Sequence, residues 1–208
     1  MIAKSEGLML VKDAFKEVFT GFNMTNSISG DKYVKDVYFI QKDSIQYVNI
    51  VESKLVNRRI DSDIKDKYYM KERDIIISLK KPYKVGTYRF KDLFNNKKPI
   101  VIPNNFIVLR GINMDLYSFI FVANYLEKIG IDKYVNENDF KNRINSELKL
   151  DDVINIELPD IPKKEQMKIS NLINSINERS AIYSTILEND DKIVKYALNK
   201  VIGDNSDK

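Results

Sequence analysis

"LDDVINIELPDIPKKEQMKISNLINSIN", residues 150–177, changes character halfway along. Its first half carries Val153, Ile154, Ile156 and Leu158, an apolar run that reads as a final β-strand. Pro159 and Pro162 then bracket a boundary, because proline fixes its own φ and disfavours helix in the residue before it. Beyond Pro162 the pattern is helical to about Ile202. Ile169, Ile173, Ile176, Ser180, Tyr183, Leu187, Asp190, Val194, Ala197 and Val201 recur at alternating steps of four and three. That is a heptad register with Ser180 and Asp190 as polar interruptions. Forty helical residues extend ~60 Å, more than the width of a small domain. A strict 3.5-residue repeat favours a coiled coil over a helix lying on its own domain, which drifts toward 3.6 and shows a broader stripe. The "LENDD" segment, 187–191, is the expected place for a break.

Upstream of the boundary the chain is organised differently. From Tyr33 to Arg110, "YVKDVYFIQ", "SIQYVNIVE", "DIIISL", "KVGTYRF" and "PIVIPNNFIVLR" are short runs rich in Val, Ile, Tyr and Phe, separated by turn-forming residues. Leu116, Phe119, Ile120, Ala123, Leu126 and Ile129 then recur at helical spacing, with Asn113 or Asp115 as candidate caps and Gly130 as a candidate stop. At the other end, Leu8, Val11, Phe15, Val18 and Phe19 predict an amphipathic helix over about 4–20. The expected class is therefore α+β. One mixed domain with a twisted, mostly antiparallel sheet spans 1–162, and a long coiled-coil-type helix spans 163–208.

The 208 residues include no cysteine and no histidine. That excludes disulfides, thiolate catalysis, most structural zinc sites and the commonest general base. No apolar run of about 18 residues occurs, and charges interrupt "MIAKSEGLMLVKDAF", so neither a membrane span nor a secretory signal is expected and the expected location is cytoplasmic. No phosphate-binding loop, nucleophile elbow or metalloprotease motif is present.

Charge is unevenly spread. Between Glu52 and Lys98 fourteen basic residues face seven acidic ones, a surplus of +7, while the whole chain is +4. Such a segment attracts a polyanion, most obviously nucleic acid, although a Lys-rich surface can also be simply solvated. Within it, Lys54, Asn57, Arg58 and Arg59 follow a strand ending at Val51, and Lys80, Lys81, Tyr83 and Lys84 follow "DIIISL"; Arg89 lies just beyond. Lys and Arg neutralise phosphates, and Arg and Asn can make bidentate contacts with base edges. Tyr83 can stack on a base or serve only as packing. A different chemistry is written into the same region. Asp43 followed by Glu52-Ser53-Lys54 has the spacing of Mg²⁺-dependent nucleases, in which two carboxylates hold the metal and a lysine orients water. Glu-x-Lys is common in a chain this rich in both residues, and no metal ligand set is assigned.

The order of these features resembles the specificity subunits of Type I restriction-modification systems. "YYMKERDIIISLKKPYKVGTYRF" resembles the Leu-x-x-Gly-Asp-Ile turn and strand of their target-recognition domains, "PNNFIVLR" the following strand, and "MDLYSFIFVANYLEK" the helix after it. The stretch quoted first is similar to the family's domain boundary: apolar strand, Leu-Pro, a second Pro, then Glu-Gln and a helix. The resemblance covers roughly Phe22 to Leu187. It departs in having one recognition domain and one long helix where the family has two of each, and Arg73-Asp74 where the family has Gly-Asp. Such a likeness implies a non-catalytic DNA-binding chain that reads half of a bipartite site. It implies a homodimer formed through Ile169, Ile173, Ile176, Tyr183, Leu187, Val194 and Val201. The implied partners are double-stranded DNA, methyltransferase subunits and, through them, a nuclease subunit. It implies no cofactor on this chain, with S-adenosylmethionine, ATP and Mg²⁺ on the partners. A chain that takes a specificity subunit's place without reading DNA is the remaining alternative.

Overall fold

A computed structural model describes residues 9–23, 35–60, 64–88, 98–138 and 147–206, the last four of these as backbone only. The chain divides into two compact units, Met1–Met167 and Lys168–Lys208.

The first unit is built on a six-stranded sheet. In chain order its elements begin with β1 (Met9–Leu10), a single helical turn α1 (Val11–Ala14) and β2 (Phe15–Thr20). Then come β3 (Lys35–Phe39), β4 (Ile45–Gln46), β5 (Asn49–Ile50), β6 (Val56–Ile60), β7 (Ile75–Ser78), β8 (Val85–Thr87), β9 (Ile100–Val101) and β10 (Phe106–Ile112). The large sheet runs β2-β10-β7-β8-β5-β4, antiparallel except where β5 meets β8. A second sheet runs β6-β3-β9.

The central strands β7 and β10 read as unbroken apolar runs because both their faces are covered. Ile75, Ile77, Ile107 and Leu109 join a core with Phe121, Val122, Leu126 and Val153. Ile76, Phe106 and Val108 join a second core with Ile40, Ile45, Ile100 and Ile102.

Four expectations need correction. The helix over 4–20 is not formed: residues 15–20 are β2, in register with β10 from Ile107↔Thr20 to Ile112↔Phe15. Aromatic and β-branched residues suit a strand as well as a helix, and hydrogen bonding along the edge of buried β10 decides between them. Residues 4–8 of that helix lie outside the described residues. Second, Leu150–Ile154 is helical (α4), with the Asp152 carboxylate accepting from the Lys149 amide at 2.8 Å, and only Glu157–Leu158 is strand (β11), paired with β1.

Third, Gly130 does not stop the helix that begins at Phe119. That helix runs through α2 (Phe119–Tyr125), a π-helical turn (Leu126–Gly130) and α3 (Ile131–Glu137), with Ser118 as its N-cap. A Cβ at Gly130 would stand 2.8 Å from the Tyr125 ring, so glycine serves close packing there. Fourth, the long helix α5, Lys163–Ser206, runs 44 residues without a break at "LENDD". Among the described residues no helix is long and apolar enough to cross a membrane.

One ion pair ties the six-stranded sheet to the β6-β3-β9 sheet. Arg110 of β10 donates from Nε and Nη2 to both carboxylate oxygens of Asp74, at 2.8 and 2.6 Å. Its remaining donors reach the carbonyls of Lys67 and Tyr69, at 2.9 and 2.8 Å, and its guanidinium lies over the Phe19 ring. The segment so held hydrogen-bonds to β9 through Met70 N to Ile100 O and Ile102 N to Tyr68 O. Burial pushes the Asp74 carboxyl up, and its hydrogen bonds from Arg110 and the Lys71 amide draw it back. Arg73 beside it has φ 62, the left-handed conformation that glycine adopts without penalty and that arginine adopts at a cost.

Replacing Arg110 with Leu strands a fully buried carboxylate and should cost about 3–5 kcal/mol in urea unfolding, while the double Asp74→Leu/Arg110→Leu variant should recover much of it. Additive losses would contradict the pairing.

Candidate nucleic-acid interface

The sequence groups the candidate residues by strand ends, whereas the structure distributes them over two places. Asn57, Arg58 and Arg59 do not follow a strand; they lie inside β6, the edge of the smaller sheet. Alternation therefore sends neighbours to opposite faces. The register sets Arg59 opposite Asp36 and Asn57 opposite Tyr38. Arg59 Nε lies 3.4 Å from Asp36, and Lys98 Nζ lies 3.6 Å from the same carboxylate and 3.4 Å from Asn57 Oδ1. The Lys98 ammonium also stands over the Tyr38 ring at 5.5 Å. Arg58 sits instead over Phe39, 5.8 Å from its centroid.

The second place gathers Lys54, Lys80 and Lys81 around a turn that holds Lys42. Lys42 Nζ donates to the carbonyls of Lys80 and Lys81, at 3.2 and 2.7 Å. Two residues on, Ser44 donates to the Lys54 carbonyl at 2.8 Å. A single turn of 3-10 helix, Lys42–Ser44, thus links the Lys54 turn to the 79–84 loop. Lys42 lies outside the basic segment because that segment begins at Glu52, and its proximity arises only from these long-range bonds. Lys98 falls within the segment, but only cross-strand pairing brings it to Arg59.

Glu127 fixes the base of that loop. Its Oε2 accepts the Val85 amide at 2.6 Å, and Oε1 lies 3.9 Å from Lys84 Nζ. The glutamate projects from the π-helical turn; burial pushes its carboxyl up, and the Val85 amide and Lys84 draw it back. Tyr83 is half-buried against the main core, with the Lys81 ammonium 5.9 Å from its ring, so much of its surface is engaged in packing. Arg89 lies outside the described residues.

The strand geometry expected for the nuclease alternative is not formed. Glu52-Ser53-Lys54 is a 3-10 turn, so strand alternation does not set Glu52 and Lys54 on one face. Among the described residues no group of three carboxylates gathers that could hold a metal ion.

No protein-family model matches the chain. No curated protein matches it by sequence. Solved structures do. A chain of a type I R-M system, studied for complex assembly and conformational transition, superposes with a TM-score of 0.52 at 13% identity, over 87% of this chain and 41% of that one. The HsdS subunit from Thermoanaerobacter tengcongensis superposes with a TM-score of 0.52 at 14% identity, over 87% of this chain and 40% of that one. The chain thus has the fold of these proteins and spans about two fifths of their length.

Glu127→Gln keeps the shape but loses the charge-assisted bond. It should cost about 1–2 kcal/mol and speed hydrogen exchange at the Val85 amide. An unchanged exchange rate would show that the carboxylate does not hold the loop.

Proposed function

We propose that this chain, with its HsdS-like fold, is the non-catalytic DNA-recognition subunit of a type I restriction-modification complex. The fold likeness over 87% of the chain carries the reading. The two basic places add to it. Phosphate contacts from Lys and Arg position a protein on the duplex, and Arg or Asn at a groove reads base edges.

In this reading the recognition unit binds half of a bipartite site in the cytoplasm. Two copies join through the long helix and would together account for most of one solved neighbour's length. A two-fold pair of identical recognition units reads a palindromic site. Methyltransferase subunits dock on the assembly and supply S-adenosylmethionine chemistry. They in turn bring the ATP- and Mg²⁺-dependent nuclease, so cutting belongs to the partners.

DNA affinity measured against salt tests this directly. Lys54→Glu, Lys80→Glu and Arg59→Glu should each weaken binding and flatten the log–log salt slope by about 1 or more. Arg58→Glu, on the opposite face of β6, should leave the slope unchanged. Unaltered binding in the first three variants would overturn the interface. Cleavage of DNA by the purified chain with Mg²⁺, lost in Glu52→Gln, would restore the nuclease alternative.

A further inference from the structure

Helix α5 is unbroken through "LENDD", so its seam keeps one phase from Ile169 to Val201. Every residue from Ala181 to Ile202 is exposed, including Tyr183, Leu187, Val194 and Val201. An apolar stripe of this length in water needs a partner. The question is what partner the stripe fits, and in which register.

In heptad terms Ile173, Ser180, Leu187, Val194 and Val201 occupy a, and Ile169, Ile176, Tyr183, Asp190 and Ala197 occupy d. The two polar interruptions therefore fall on different heptad positions. A parallel, in-register pair stacks each position on itself. It would bury Asp190 against Asp190 of the second copy, two like charges in one layer. An antiparallel pair sets a against d. If its two-fold axis passes at the level of Thr185, all ten seam positions find partners. Ile169 then meets the second copy's Val201, Ile173 meets Ala197, Ile176 meets Val194, and Tyr183 meets Leu187. The same register sets Ser180 against Asp190, twice, so that a hydroxyl donates to each carboxylate.

Neighbouring registers lack this match. Sliding the second copy by one heptad sets Asp190 against Ile173 in one direction and against Leu187 in the other. Each slide shortens the seam and leaves a carboxylate without a donor in its layer. The residues flanking the Thr185-centred seam bring no like charges together. Leu172 lies beside Lys200, Arg179 beside Ile193, and Ile186 beside Ile186 across the axis. Full overlap of the apolar seam and pairing of its polar residues thus select one alignment.

We infer that Ser180 and Asp190 are the register-setting pair of an antiparallel homodimer centred on Thr185. This rests on the homodimer of the proposed function and fixes its alignment. A one-heptad slip would displace one helix along the other by ~10 Å, so the alignment is specific to this pairing.

The chain has no cysteine, so single substitutions report cleanly. Ser180, half-buried, and Asp190, exposed, belong to no core cluster, so Ser180→Cys and Asp190→Cys are not expected to disturb folding. Mixed full-length S180C and D190C should give disulfide-linked dimers on oxidation, and neither variant alone should do so. Crosslinking of S180C with itself would establish a parallel pair and overturn the inference. Dimers in sedimentation without the mixed crosslink would overturn the register while leaving the homodimer intact. A chain that stays monomeric at all concentrations would remove the homodimer and the register together. As an independent arm, Ser180→Asp should raise the dimer dissociation constant at least tenfold, and adding Asp190→Lys should restore it; no change in either would also overturn the pairing.

Discussion

The Arg110–Asp74 pair is the constraint on which the first unit's form depends. A buried carboxylate is tolerable only when its oxygens are satisfied. Here they accept from a guanidinium on β10 and from the Lys71 amide. The same guanidinium holds two carbonyls of the segment that runs from β6 to β7 and hydrogen-bonds beside β9. Stability and placement are thereby coupled: the bond that satisfies Asp74 also sets where the Lys65–Arg73 stretch runs. Arg73 accepts a left-handed backbone in that turn, a local cost that the clamp beside it can hold.

Around that joint the basic side chains are arranged by long-range hydrogen bonds. Lys42 is drawn to two carbonyls of the 79–84 loop, Glu127 anchors the loop's far end, and Asp36 gathers Arg59 and Lys98. Exposed ion pairs such as Arg59–Asp36 contribute little to stability. Their effect here is to hold Arg59 and Lys98 in a fixed pattern around Asp36, the pattern that the proposed phosphate contacts would use.

How much of this the sequence discloses follows from the range of each interaction. The buried runs of β7 and β10 and the start of a long helix just after Pro162 are written locally, in apolar periodicity and proline, and they are legible. Residues 15–20 are not, because Phe15, Val18 and Phe19 suit either period and only pairing with β10 decides. Leu150–Ile154 is too short for its period to distinguish helix from strand, and the Asp152 cap decides there. In the interface, Lys54, Lys80 and Lys81 are brought to one place, whereas Arg58 and Arg59 are separated because they lie within a strand whose start at Val56 no local signal marks. Lys42 and Lys98 reach their sites through contacts some forty residues away in sequence. The hardest parts to read are those where tertiary pairing overrides local preference.

A symmetric pair of chains reading DNA, as proposed, would leave its mark on the sequences it selects. The most direct measurement is selection from a random duplex pool with the full chain together with adenine methyltransferase subunits. Enrichment of two identical, inverted short motifs separated by a spacer of fixed length is expected. Binding with no sequence enriched over the starting pool would contradict it, and would mark a chain that joins such complexes without reading DNA.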